Sequence, residues 1–182
     1  MSAEGVEPQF MSIPEEPAVE GIVFSKFSGE NEIAEFKQLN DSMLSEAYSV
    51  YTYHYFVKDI PDITYIARNE SDEMIGVCIC KRDMYGKRPV GYIGMLSVLP
   101  SYRGKGIARA LAIRSINEMI KNRFSECLLE TECDNYAALN LYEKLGFRRT
   151  EYLPRYYQNG NSAYRLVLQL EEIYFPHVQE YW

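Results

Sequence analysis

From Tyr92 to Ala112 the chain reads Tyr-Ile-Gly-Met-Leu-Ser-Val-Leu-Pro-Ser-Tyr-Arg-Gly-Lys-Gly-Ile-Ala-Arg-Ala-Leu-Ala, and no other stretch restricts the fold as tightly. An apolar strand over 92–99 is stopped by Pro100, turned through Arg103-Gly104-Lys105-Gly106 and continued as a helix that starts near Ile107. The first backbone N–H groups of such a helix have no intrahelical partner and sit at the positive end of its dipole, so the turn is built to hold an anion. Gly104 and Gly106 let the backbone approach that anion closely, and Arg103 and Lys105 add formal charge.

The order of residues narrows which anion. A Walker loop needs Ser or Thr after Gly-Lys, and Lys105 is followed by Gly106. A dinucleotide fingerprint needs a third glycine where Arg109 stands, so that match is partial. The pattern Val98-x-Pro100-x-x-Arg103-Gly104-x-Gly106-Ile107-Ala108 resembles instead the acetyl-CoA pyrophosphate loop of the GCN5-related N-acetyltransferases.

A length of 182 residues with 47% hydrophobic and 25% charged content suits one globular domain with a full core. A net charge of −7 argues against nucleic acid as a partner, although Arg103, Lys105, Arg109, Arg114, Lys121 and Arg123 give the loop and its helix a local positive field. No signal-like start or bilayer-length apolar run is visible, so a cytoplasmic protein without membrane attachment is expected. Cys78, Cys80, Cys127 and Cys133 lie in apolar or strand-like runs without metal-ligand spacing and read as reduced thiols; no metal is expected.

Residues 1–20 carry Pro8, Pro14 and Pro17 among five glutamates and are expected to form a disordered arm outside the fold. The domain is expected over 21–170, and 171–182 form a tail whose aromatics suggest a docking role. A short strand over 22–27 and a helix over 31–44 open the domain. Tyr51, Tyr53 and Tyr55 alternate as on a strand. Strands follow over 64–68, 74–81 and 88–99, then the loop helix, a strand at 127–132, and a helix capped by Asp134 or Asn135 that ends at Gly146. A closing hairpin, 148–157 and 163–170, is joined through Gln158-Asn159-Gly160-Asn161. A right-handed crossover through the loop helix sets the strands on either side of it parallel.

Further segments sharpen the likeness: Leu44 to Tyr53, Gly91 to Leu96, Leu129-Glu130-Thr131-Glu132, Ala138 to Phe147, and Arg155-Tyr156-Tyr157-Gln158-Asn159-Gly160. Together they resemble the catalytic subunits of NatC-type N-terminal acetyltransferases, over roughly residues 22–170. Ala47 stands where that family usually has proline, and Leu153-Pro154 precede Arg155 where an unbroken strand might be looked for. The resemblance implies an α/β fold, a mixed seven-stranded sheet with splayed central strands and about four helices, with a loop and short helix in place of the tyrosine strand. It also implies transfer of acetyl from acetyl-CoA to nascent chains beginning with Met and a bulky apolar residue, alongside large and small auxiliary subunits that bring the enzyme to the ribosome.

An α-amine with a pKa of about 7.7–8.0 needs only a modest base. Glu130, at the charged end of its strand, fits that role; Glu132 shares its strand face, so alternation leaves both open and only the resemblance favours Glu130. Tyr142 would be read as a core residue from its spacing with Leu141 and Leu145, and the resemblance makes it the acid that protonates the departing thiolate. By the same likeness Leu96 supplies a backbone N–H for the oxyanion and, with Val98, lines the cofactor; Arg103, Gly104, Lys105, Gly106, Ile107 and Ala108 hold the pyrophosphate. Asn135 meets the pantetheine arm, or simply caps its helix. Glu46, Tyr48, Tyr156 and Tyr157 hold the peptide's first residues, although adjacent strand residues face opposite ways, so one of the last pair would cover the sheet edge. A covalent route through Cys133 would need His54 to fold back as its base. A lysine or small-amine acetyltransferase, and a non-catalytic acetyl-CoA-binding subunit, are the rival functions.

Overall fold

The computed structural model describes residues 9–41, 43 and 48–172. In chain order the elements are β1 (Gln9–Phe10), β2 (Ile22–Lys26), α1 (Asn31–Asn40), α2 (Val50–Val57), β3 (Tyr65–Asn69), β4 (Met74–Tyr85) and β5 (Arg88–Val98). After them come α3 (Ile107–Lys121), β6 (Glu126–Glu132), α4 (Tyr136–Lys144), β7 (Arg148–Leu153), β8 (Ala163–Gln169) and β9 (Glu171–Glu172). Among the described residues β2 to β8 make a seven-stranded sheet in the order β2-β3-β4-β5-β6-β8-β7, and β1 pairs with β9 in a separate ribbon. All neighbours are antiparallel except β5 and β6, the pair joined by the crossover through α3.

That parallel pair is short. Val90 to Tyr92 face Glu126 to Leu128, and there the pairing stops, while β5 runs on to Val98 and β6 to Glu132. The two strands splay as expected, and a register shift against β4 sets Met95 opposite Ile79 and Ile93 opposite Cys80, leaving Gly94 as the extra residue of a bulge. Phe56 of α2 lies where a Cβ on Gly94 would be, so the bulge and the helix above it fit only with glycine there.

One face of the sheet packs α1 and α2, with Ile33, Phe36, Leu39, Tyr53 and Val57 against Ile66, Val77, Ile79 and Met95. The other carries α3 and α4, with Ile107, Leu111, Ile116, Met119, Leu139 and Tyr142 against Cys78, Ile93, Cys127 and Leu129. The tyrosine-rich segment is helical because Tyr53 and Val57, four apart, bury on one side of α2 while Tyr51 and Tyr55 stay exposed. The alternation of tyrosines is thus an accident of composition.

Two expectations need correction. Residues 9–20 do not stand outside the fold. Met11 N–H donates to the Leu170 carbonyl at 2.9 Å, Asn117 Nδ2 to the Pro14 carbonyl at 2.9 Å, and Arg114 Nη1 to the Pro17 carbonyl at 3.1 Å. Phe10, Met11 and Val19 pack on the core. A helix as apolar all round as α3 needs a cover on its outer side, and this strap provides it. The closing hairpin is also shorter than the expected one. Its strands end at Leu153 and begin again at Ala163, so Tyr156 and Tyr157 belong to the connection, where Arg155 takes φ 50° and Gly160 φ 85°. Pro154 has no N–H to continue the ladder. Residues 1–8, Leu44 to Ala47 and the tail from 173 lie outside the described residues.

Candidate active site

The turn before α3 folds as a short 3-10 segment, Pro100–Tyr102, followed by Gly104 at φ 75° and Gly106 at φ 85°. Both glycines take the left-handed conformation that an L side chain resists, and a Cβ at either would meet none of the described residues within 4 Å, so the backbone is open on that side. Gly106 is the N-cap residue of α3 and, among the described residues, no side chain caps the helix. The first-turn N–H groups therefore remain available to a ligand. Arg103 Nε donates to the Val98 carbonyl at 3.0 Å, which fixes the guanidinium at the mouth of this turn. Lys105 turns aside, its Nζ 5.1 Å from the centre of the Tyr102 ring.

A cleft of about 640 Å³ opens where β5 and β6 part. Leu96 and Val98 line one wall, Glu130 and Glu132 the other, and Arg103, Gly104, Gly106, Ile107 and Ala108 form one end. Asn135 and Tyr142 contribute from α4 and its cap, and Tyr48 and Tyr157 stand over the cleft from two separate loops. Beyond Tyr92, the edge of β5 that would otherwise bond to β6 has no strand partner among the described residues, so its peptide groups face the same space. Of the residues singled out in the sequence, Lys105 and Tyr156 do not line the cleft, and Glu46 lies outside the described residues.

Glu130 is the best-held side chain here. Its carboxylate, 4% exposed, accepts from the Tyr92 hydroxyl at 2.6 Å on Oε2 and from Arg165 Nε at 2.8 Å on Oε1. Arg165 is shared with Glu151, to whose Oε2 its Nη1 donates at 2.7 Å. Burial, and then the neighbouring Glu130 carboxylate, push the Tyr92 phenol far above its ordinary range, so it stays a donor. The bond to Glu130 likewise raises Arg165. Sequence reasoning missed both Tyr92 and Arg165. Arg165 left a signal, a lone cation inside the apolar run Ala163 to Leu168, but its partner depends on β8 pairing with β6 and setting Arg165 opposite Glu130.

Tyr142 is 6% exposed and packs its ring 5.5 Å from that of Phe147, so the core reading of its helix face is correct as packing; the same residue also lines the cleft. Burial, reinforced by the thiols of Cys78, Cys127 and Cys80, raises its phenol well above the ordinary value and keeps it protonated. Asn135 caps α4, its Oδ1 accepting from the Ala138 N–H at 3.2 Å, and borders the cleft as well. His54 Nδ1 lies 3.4 Å from Glu30 on the α2 side, and neither it nor Cys133 lines the cleft, which removes the base that a cysteine route would need. Among the described residues no group of His, Cys, Asp and Glu could hold a metal ion, and no helix is long and apolar enough to cross a membrane.

An open helix N-terminus, a splayed parallel pair, and a buried carboxylate and a buried phenol lining one cleft define the class. The sequence matches the Acetyltransferase (GNAT) family over residues 33–147, and the chain belongs to that family. Its relatives place it among the N-alpha-acetyltransferases. N-alpha-acetyltransferase 30 of Saccharomyces cerevisiae is 45% identical over 148 residues, 79% of this chain and 84% of that protein. N-alpha-acetyltransferase 30 of Schizosaccharomyces pombe is 46% identical over 132 residues, 72% and 87%. A chain from a crystal structure of the NatC complex bound to Gag peptide and CoA superposes with a TM-score of 0.79 at 43% identity, covering 82% of this chain and 98% of that one.

Proposed function

We propose that this chain is the catalytic subunit of a NatC-type complex. It transfers acetyl from acetyl-CoA to the α-amino group of nascent polypeptides that begin with Met followed by a bulky apolar residue. The observation that carries the reading is that one cleft joins the uncapped start of α3 to Glu130 and Tyr142.

The N–H groups of the first turn, with the Arg103 guanidinium, receive the pyrophosphate of acetyl-CoA. The unpaired edge of β5 takes the pantetheine amides as a strand would, which sets the thioester near Leu96, whose N–H serves the carbonyl oxygen as charge develops there. Asn135 has its oxygen engaged in the cap, so it meets the same arm with its amide N–H groups. Tyr48 and Tyr157 wall the entry for the acceptor peptide, with Tyr156 behind and Glu46 as the partner of its ammonium.

Glu130 takes the proton from that amine, directly or through one water. Its Oε2 is held by the Tyr92 hydroxyl and its Oε1 by Arg165, with the Tyr156 phenol also beside the carboxylate, and these donors fix where the proton is received. Tyr142, held protonated by burial, delivers a proton to the thiolate of the departing coenzyme. The chain binds a large and a small auxiliary subunit, through them the ribosome, and works in the cytoplasm. The exposed Tyr51 and Tyr55 of α2, 79% and 51% accessible, and the tail from residue 173 are its docking surfaces.

The test is a peptide panel with the assembled complex and acetyl-CoA. A peptide beginning Met-Leu should be acetylated at its amine and one beginning Met-Ser should not. Equal labelling of the two, or product that persists when the α-amine is blocked, overturns the reading.

A further inference from the structure

Glu130 and Glu132 share a face of β6 and both line the cleft, yet they are engaged by different parts of the molecule. Glu130 is tied to β5 and β8. Glu132 Oε1 accepts from Asn159 Nδ2 at 3.2 Å and from Asn161 Nδ2 at 3.3 Å, two amides from the connection between β7 and β8. That connection is closely wound. The Tyr157 N–H donates to the Asn161 carbonyl at 3.0 Å, the Gly160 N–H to the Tyr157 carbonyl at 2.9 Å, and the Asn161 N–H to Asn159 Oδ1 at 2.9 Å. The two amides that grip Glu132 are thus part of the same small ring of bonds that fixes the backbone of Tyr157. Further ties sit at the base of the loop, where the Cys133 N–H donates to the Ser162 carbonyl at 3.0 Å and the Arg155 N–H to Ser162 Oγ at 3.2 Å.

We infer that Glu132 is a positioning residue for the acceptor peptide: its carboxylate latches the Asn159-Gly160-Asn161 turn to the end of β6 and so sets where Tyr157 stands over the cleft. A carboxylate suits this because one oxygen can take two amide donors at once, and bonds to a charged acceptor are the stronger kind. The latch acts at the Tyr157 end of the cleft, and none of its bonds reaches the turn at Gly104 to Ala108. Its consequence for the peptide rests on the reading that the entry under Tyr157 receives the acceptor.

The test compares wild type, Glu132→Ala, Glu132→Gln and the double variant Asn159→Ala/Asn161→Ala in the assembled complex, with acetyl-CoA and a Met-Leu peptide as probes. Loss of a hydrogen-bonded charged acceptor is expected to raise the peptide KM about tenfold in Glu132→Ala and in the double variant, with kcat and the acetyl-CoA KM within about twofold of wild type. Glu132→Gln keeps an acceptor oxygen and should recover most of the affinity. Combining Glu132→Ala with the double variant should cost clearly less than the sum of the two, because both remove the pair of amide bonds to Glu132. Amide hydrogen exchange at Tyr157 and Gly160 should quicken in Glu132→Ala and not in Glu132→Gln, a readout that stands even if Met-Leu peptides prove not to be substrates. An unchanged peptide KM, unchanged exchange, or a collapse of kcat at constant KM would each overturn the assignment, the last by making Glu132 a base.

Discussion

The Tyr92 hydroxyl donates to Glu130 Oε2 at 2.6 Å across the point where β5 and β6 stop pairing. The last paired residues are Tyr92 and Leu128, so the bond bridges the two strands one step into the splay, at the head of the cleft. It gives a buried carboxylate one of the partners it needs, with Arg165 as the other. The same divergence that opens the cleft thus brings this held carboxylate to its wall.

Glu130→Gln removes the charge without changing the shape, and general-base catalysis contributes about 10²–10⁴-fold. The variant should lose at least about a hundredfold in kcat on a Met-Leu peptide, while calorimetric affinity for acetyl-CoA is retained. Tyr92→Phe, which keeps the ring and removes one donor, should lose about tenfold. Activity of Glu130→Gln within threefold of wild type would move the base elsewhere.

At the other end of the cleft, Gly104→Ala and Gly106→Ala force a side chain into left-handed backbone at φ 75° and 85°. The conformational cost is about 1–2 kcal/mol each, and a turn that relaxes to avoid it no longer points its N–H groups together. Both variants should bind acetyl-CoA at least about tenfold more weakly by titration calorimetry, with only a small drop in melting temperature, because neither new methyl group meets a neighbour. Unaltered affinity would show that the phosphates are held elsewhere.

The glycine turn and the order of strands around it were legible because local rules set them: a proline stop, two glycines and an apolar period leave few alternatives. The tyrosine helix was not legible from spacing, since period two and period three-and-a-half both fit so short a segment. Tyr92 and Arg165 escaped because their partner is fixed by strand order, β6 lying between β5 and β8, which pairs residues far apart in sequence. Residues 9–20 looked too polar to pack, yet two of the bonds that hold them to α3 are made by their carbonyls, those of Pro14 and Pro17. Composition does not register backbone acceptors.

Alkaline stability follows from the buried thiols and phenols. Burial raises Cys80 and Cys127 well above the ordinary thiol value, and Tyr142 and Tyr92 above the ordinary phenol value. A group that keeps its proton longer when folded contributes fully below its unfolded pKa and loses that contribution as pH rises past it toward the folded value. Urea midpoints should therefore fall from about pH 8.5, as the unfolded thiols ionise, and more steeply beyond about pH 10, where the phenols join. Cys80→Ala/Cys127→Ala should flatten the first part of that slope and Tyr142→Phe the second. A wild-type midpoint that is constant from pH 8 to 10 would contradict the burial of these groups.

The strap over α3 is the element whose removal separates stability from chemistry. Ile113 and Ile116, each 2% exposed, border a small cavity with Met11 and Pro14, and Asn117, which is fully buried, donates to the Pro14 carbonyl and to Glu16 Oε1. Deleting residues 1–20 uncovers these side chains to water at a cost of about 1.5–3 kcal/mol for each large apolar group exposed. The midpoint of thermal unfolding should drop by several degrees, since about 1 kcal/mol moves a domain of this size by roughly 2–4 °C. Bonds from the strap reach α3 at Arg114 and Asn117, well past the first turn that faces the cleft, so affinity for acetyl-CoA measured below the new midpoint should stay within about twofold of the full chain. A truncated chain as stable as the full one would show that the strap merely lies on α3, and one that is equally stable yet fails to bind the cofactor would mean that it shapes the turn at Gly104 to Gly106.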